Sequence, residues 1–290
     1  MKLDKYYTKI HGVDVGATIF LAPNRALADT QPTLFYFHGG GLIYGSRLDL
    51  PQTYLNQLQA AGFDLIALDY PLIPECHLDT ILNCLISGIN WGLDELQTLT
   101  YKKKNNYLLF GRSAGAYLAL LLSSSLYQER LDRKPCGVIS FYGYYSLLDR
   151  GLLSPSYYYQ QYPTLPDQMI LPLIKKEPIT SAPIEQRFPL YLAYRQTGKW
   201  VTNILGPNLN ATDFSLTDDQ LVTLPPVFIA ASTGDQDVPF HYSKELHDKL
   251  PNSQFYQVNQ LPHDFDRDTT NPVGKDAYQA MINWINTHVS

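Results

Sequence analysis

Six short, mostly apolar runs punctuate the chain, at residues 33–37, 64–70, 107–110, 138–141, 227–231 and 255–258. Each is too short and too continuously apolar for an amphipathic helix and reads as a buried strand. Between the second and third runs, Leu78, Ile81, Leu82, Leu85, Ile86, Ile89, Leu93 and Leu96 keep the i, i+3, i+4, i+7 spacing. That spacing predicts one helix with a single apolar face laid on a sheet. Residues 51–61 predict a shorter helix that stops at Gly62, a residue that tolerates a left-handed cap. Residues 239–250 predict another before the last strand. Ala277, Tyr278, Met281, Ile282, Trp284 and Ile285 predict a closing one. Strands alternating with helices imply an α/β fold, a mostly parallel central sheet flanked by helices. There is no internal repeat and no low-complexity tract.

Residues 151–226 break this alternation. They hold 10 of the chain's 20 prolines, a density that argues against long helices and central strands. They are also aromatic, with Tyr157, Tyr158, Tyr159, Tyr162, Tyr191, Tyr194 and Trp200. The stretch is too long for a plain connection. It is expected to be an insertion with short helices of its own, either a surface elaboration or a cap over an active site.

Composition narrows the class. A length of 290 residues allows one or two domains, and a single α/β domain over 1–290 is expected. Hydrophobic residues make up 45% and charged residues 17%, a balance that argues against disorder. A net charge of −5 offers nucleic acid no basic face. No stretch of 18 uncharged apolar residues exists, so no membrane span is expected. The first residues lack the apolar core of a signal peptide. Cys76, Cys84 and Cys136 form no C-x-x-C pair and fit reduced thiols. The expected location is cytoplasmic, and association as a homodimer is left open.

The chemistry lies in two glycine-rich turns. Gly111-Arg112-Ser113-Ala114-Gly115 follows one predicted strand directly and precedes the apolar run 117–122. A serine forced into a sharp strand-to-helix turn leaves no room for side chains two residues either side, so both neighbours must be small. His38-Gly39-Gly40-Gly41 follows another strand. Consecutive glycines let the backbone approach a ligand and aim N–H groups at it, as a developing oxyanion requires. Dinucleotide and phosphate-loop readings fail, because position 44 is Tyr44 and no Gly-Lys-Ser/Thr occurs. His38 reads as a hydrogen-bonder that organises its loop.

Together these motifs resemble the α/β-hydrolase fold, and within it the branch with an HGGG motif that includes the hormone-sensitive-lipase-like carboxylesterases. Asp69-Tyr70-Pro71-Leu72-Ile73-Pro74-Glu75 is similar to the D-Y-x-L-x-P-E segment of that branch. The resemblance covers the chain from about residue 30 onwards; residues 144–226 match the family's cap insertion in position alone. It implies Ser113 as nucleophile, and the N–H groups of Gly40, Gly41 and Ala114 as oxyanion hole. It implies Asp237, in a G-x-x-D loop counted from Gly234, as the acid, and His263 as the base. Asp237 precedes Val238-Pro239 at a helix entrance, where backbone donors would keep it ionised and facing the His263 loop. Asp235 is expected to be a turn residue bonded to its own backbone.

The remaining candidates read as structural. His11, His77, His241, His247 and His288 are expected to be surface or packing residues. Asp264, Asp266 and Asp268 beside His263 form a polar loop without further metal ligands, so neither metal nor cofactor is expected. Arg112 stands where the esterase branch usually has an acidic residue. It either pairs with a neighbouring carboxylate or favours a substrate carrying one. The expected activity is hydrolysis of small or medium carboxylic esters, a small-molecule acyl substrate, through an acyl-enzyme. Amide or peptide hydrolysis and a non-catalytic ligand-binding role are the alternatives.

Overall fold

A strand's period of two sorts its side chains onto both faces of a sheet, and the six apolar runs do so here. Phe35, Phe37, Ile66, Leu68 and Leu109 pack on one face. Leu34, Tyr36, Leu65, Ala67, Leu108 and Phe110 pack on the other. The computed structural model describes residues 1–100, 102 and 106–289. Among them the elements run β1 (Lys2–Ile10), β2 (Val13–Phe20), α1 (Arg25–Ala28), β3 (Thr33–Phe37), α2 (Gln52–Ala60), β4 (Leu65–Leu68), α3 (Leu78–Leu99), β5 (Tyr107–Arg112), α4 (Ala114–Ser123) and β6 (Gly137–Phe141). After β6 come α5 (Arg150–Leu153), α6 (Tyr157–Gln160), α7 (Asp167–Ile170), α8 (Ile184–Thr197), α9 (Trp200–Leu205) and α10 (Asp218–Leu221). The chain closes with β7 (Val227–Ser232), α11 (Phe240–Lys249), β8 (Ser253–Val258) and α12 (Pro272–His288).

The strands form one sheet in the order β1-β2-β4-β3-β5-β6-β7-β8. From β4 to β8 every pairing is parallel. β1 and β2 add an antiparallel hairpin at one edge. That hairpin lies outside the six apolar runs. Its signal is the two-residue turn His11-Gly12, with φ of +47° and +86°, between β-branched and aromatic residues. No helix among the described residues is long and apolar enough to cross a membrane.

The segment between β6 and β7 departs from the sequence expectation in one respect. It carries a 14-residue helix, α8, despite its prolines. Pro183 stands at the N-cap, where no N–H is needed, and Pro189 alone sits inside. One missing N–H is outweighed by the burial of Leu190, Tyr191 and Tyr194. The segment is tied to the glycine-rich loop after β3. Gly45 and Ala182 exchange both backbone hydrogen bonds, and Arg187 donates to the Ile43 carbonyl at 2.8 Å. Arg187 also forms a buried bidentate pair with Glu75, at 2.8 Å on each oxygen, which gives the last residue of the D-Y-x-L-x-P-E segment its task.

Parallel strands bring the loops after β3, β5, β6, β7 and β8 to one edge of the sheet. α4 crosses there so closely that a side chain on Gly115 would run into the backbone carbonyls of Phe37 and His38. One on Gly111 would meet the Gly115 backbone. Gly115→Ala should therefore cost at least about 2 kcal/mol in chemical denaturation, because backbone cannot yield as a side chain can. A loss below about 1 kcal/mol would contradict this crossing.

Candidate active site

Ser113 links β5 to α4 with φ +53° and ψ −121°, a conformation few non-glycine residues adopt. This strained turn lifts its hydroxyl out of the sheet edge. His263, in the loop after β8, reaches it with Nε2 at 2.8 Å from Oγ. The other ring nitrogen, Nδ1, lies 2.5 Å from Oδ2 of Asp235. Two of the three expected partners thus meet.

The third does not. The carboxylate on His263 is Asp235, and Asp237 faces another way. Asp237 Oδ1 accepts from Tyr191 at 2.7 Å and from Arg195 at 2.8 Å. The expectation treated a turn role and an imidazole role as exclusive, and Asp235 fills both. Its Oδ1 accepts from the N–H groups of Asp237 and Val238, each at 2.9 Å, while Oδ2 turns to the imidazole. The backbone donors assigned to Asp237 are thus spent on Asp235. Counting from Gly234 overshoots by two residues.

The glycine loop lies opposite. Gly40 and Gly41 hold φ of +98° and +59°. A side chain on either would strike Tyr44 or the Tyr191 ring. Among the described residues, the N–H groups of Gly40, Gly41 and Ala114 have no protein acceptor. Ala114 opens α4, so its N–H is one the helix cannot use. His38 organises this loop, as expected. It is fully buried, stacks on Tyr70 at 4.1 Å and shares a 2.8 Å hydrogen bond with the Gly39 carbonyl. Ser113 and His263 open into a cavity of about 950 Å³. Tyr44 and, from the β6–β7 segment, Tyr158, Tyr159, Tyr162 and Phe188 wall it.

A sequence model described as alpha/beta hydrolase fold matches residues 34–267. The chain belongs to that family. Among solved structures it is similar to a protein of unknown function from Staphylococcus aureus Mu50. The two are 34% identical, covering 100% of both chains with a TM-score of 0.83. It also shares its fold with carboxyl esterase 2 from Tuber melanosporum, at 17% identity over 100% of this chain and 87% of that one, TM-score 0.68. Among curated proteins it is similar to the non-reducing polyketide synthase prhL of Penicillium brasilianum, 24% identical over 315 residues. That match takes in 90% of this chain but 13% of the synthase, so the chain spans only a small part of that relative.

In this alpha/beta hydrolase, Arg112 is committed to a partner inside the protein. It is buried beside Ser113 and pairs with Asp266 at 2.9 Å. It also donates to the Tyr142 hydroxyl at 2.7 Å. Tyr142 in turn donates to Asp266 at 2.7 Å and sets its ring edge-on to His263, centroids 4.7 Å apart. Ser232 and Tyr142 were missing from the sequence expectation. Ser232 Oγ donates to the Leu261 carbonyl at 2.6 Å and accepts from Leu261 N–H at 2.9 Å, which stitches the Asp235 loop to the His263 loop. A Ser at the end of β7 carries no such signal, because its partner is 29 residues away.

Burial alone would lower the pKa of His263. The Asp235 carboxylate, helped by Asp237 and Asp264, outweighs that and pushes it up from 6.5 to about 9. The carboxylate therefore favours the imidazolium, the species formed when the ring takes a proton. In Asp235→Asn the burial remains and the main opposing charge is gone, so the titration midpoint of the His263 ring, followed by NMR, should fall by more than about one unit. A wild-type midpoint at or below 6.5 would contradict this.

Proposed function

We propose that the protein is a serine hydrolase that cleaves small or medium carboxylic esters through an acyl-enzyme. The observation that carries this reading is the unbroken relay Asp235–His263–Ser113, with contacts of 2.5 and 2.8 Å. His263 takes the Ser113 proton as Oγ attacks the ester carbonyl, and Asp235 steadies the imidazolium through Nδ1–H. The N–H groups of Gly40, Gly41 and Ala114 receive the oxyanion, and the α4 N-terminus adds its positive end. His263 then passes the proton to the departing alcohol. Water activated by the same ring releases the acid. The esterases among the structural neighbours support the reading by analogy of fold. Residues 144–226 act as the cap, and its tyrosines and Phe188 narrow the acyl pocket.

Ser113→Ala should abolish labelling by a fluorophosphonate and lower ester turnover roughly 10⁶-fold. Undiminished hydrolysis of 4-nitrophenyl acetate by that variant would overturn the mechanism. Acetyl to octanoyl esters should outrun palmitoyl by roughly tenfold or more in kcat/KM, since an aromatic wall limits the length that can be seated. Equal rates on acetyl and palmitoyl esters would contradict the cap's place in the acyl pocket.

A further inference from the structure

Asp237 lines the cavity, yet its carboxylate is engaged by groups from the segment above it. Arg195, near the end of α8, is 2% exposed and grips Asp237 twice. Nη1 donates to Oδ1 at 2.8 Å and Nη2 to the backbone carbonyl at 3.0 Å. The guanidinium is fixed before it arrives there. It lies over the rings of Tyr159, Tyr191 and Trp200 at 5.5, 5.6 and 5.5 Å from their centroids. The residue so gripped is also the one whose N–H holds Asp235 Oδ1 at 2.9 Å. Side chain to backbone to side chain, a contiguous line runs from Arg195 through Asp237, Asp235 and His263 to Ser113.

We infer that Arg195 is a positioning residue that acts through Asp237 to hold the turn carrying Asp235 against His263. The inference rests on the serine-hydrolase reading above. A guanidinium suits the task because its planar fork reaches a carboxylate and a carbonyl together, which an ammonium on a flexible stem does not. The neighbouring Trp200 donates its indole N–H to the Gly41 carbonyl at 2.9 Å, so the same aromatic cluster braces the glycine loop from the other side. The segment over the cavity thereby holds both loops that flank the serine. The sequence-expected acid, Asp237, is the point at which it holds one of them.

The test compares wild type with Arg195→Met, Arg195→Lys and Asp237→Ala, with active sites counted by fluorophosphonate. Arg195→Met should lower kcat per titrated site about 10- to 100-fold, since a slightly displaced carboxylate no longer meets the imidazole squarely. KM should stay within about twofold, and the acid limb of the pH profile should move to lower pH as Asp235 loosens from His263. Arg195→Lys should recover part of the loss. Asp237→Ala, which removes a side chain at the cavity wall, should reproduce the loss in kcat per titrated site. Because its charge itself helps raise the His263 pKa, this variant is read on kcat per site alone, and it carries the test if the methionine variant does not fold. Combining the two should add little, since they break one line. A merely structural role would lower the number of titratable sites and leave kcat per site and the acid limb unmoved; that result overturns the inference. If wild type itself takes up no probe, the hydrolase reading fails, and this inference with it.

Discussion

A carboxylate shut away from water must find partners for both oxygens, and Asp235, with its side chain 1% exposed, does so in two directions. One oxygen closes the turn after β7 by accepting two backbone N–H groups. The other takes the His263 ring. The first interaction makes the second possible. With its backbone donors in place the carboxylate stays pointed at the ring, and the imidazole stays in the tautomer whose Nε2 can accept from Ser113. Ser232 draws the two loops together from below. Gly234 leaves room for them, since a side chain there would come within 2.7 Å of the Gln260 and Leu261 backbone.

Much of the frame was legible because periodicity is a local property. The run 33–37 coincides with β3, and the other apolar runs lie within or overlap β4 to β8. Leu78 to Leu96 fall inside α3, and of the glycine pair around Ser113, Gly115 is required by backbone contact with the end of β3 and Gly111 by contact with Gly115 itself. What escaped depends on contacts distant in sequence. α8 survives its prolines because its buried side chains pack on the rest of the protein. Arg112 looks anomalous beside Ser113 until Asp266, 154 residues away, is found against it. The choice between Asp235 and Asp237 failed for the same reason. Both lie in one short loop, and the deciding partner, Arg195, sits 42 residues earlier in a segment whose direction the sequence does not reveal.

That segment does more than wall the cavity. It meets the glycine loop through the Gly45–Ala182 bridge, Arg187 and Trp200, and the Asp235 turn through Arg195. A cover joined to its floor by buried charged and backbone hydrogen bonds behaves as part of the site's frame. The aromatic side chains that read as an ambiguous cluster in the sequence thus have two uses. Some, such as Tyr158 and Phe188, face the cavity, and others, such as Trp200, pack on the cation that reaches the Asp235 turn.

The central claim is that the carboxylate serving His263 is Asp235, with Asp237 held by Arg195. Steady-state kinetics on two single substitutions test it most directly. Asp235→Asn should lower ester turnover roughly 10⁴-fold by favouring the wrong imidazole tautomer. Asp237→Asn, which keeps an oxygen for Tyr191 and Arg195, should remain within about tenfold of wild type. The reverse ranking, with Asp237→Asn the crippled variant and Asp235→Asn nearly unimpaired, would contradict the account.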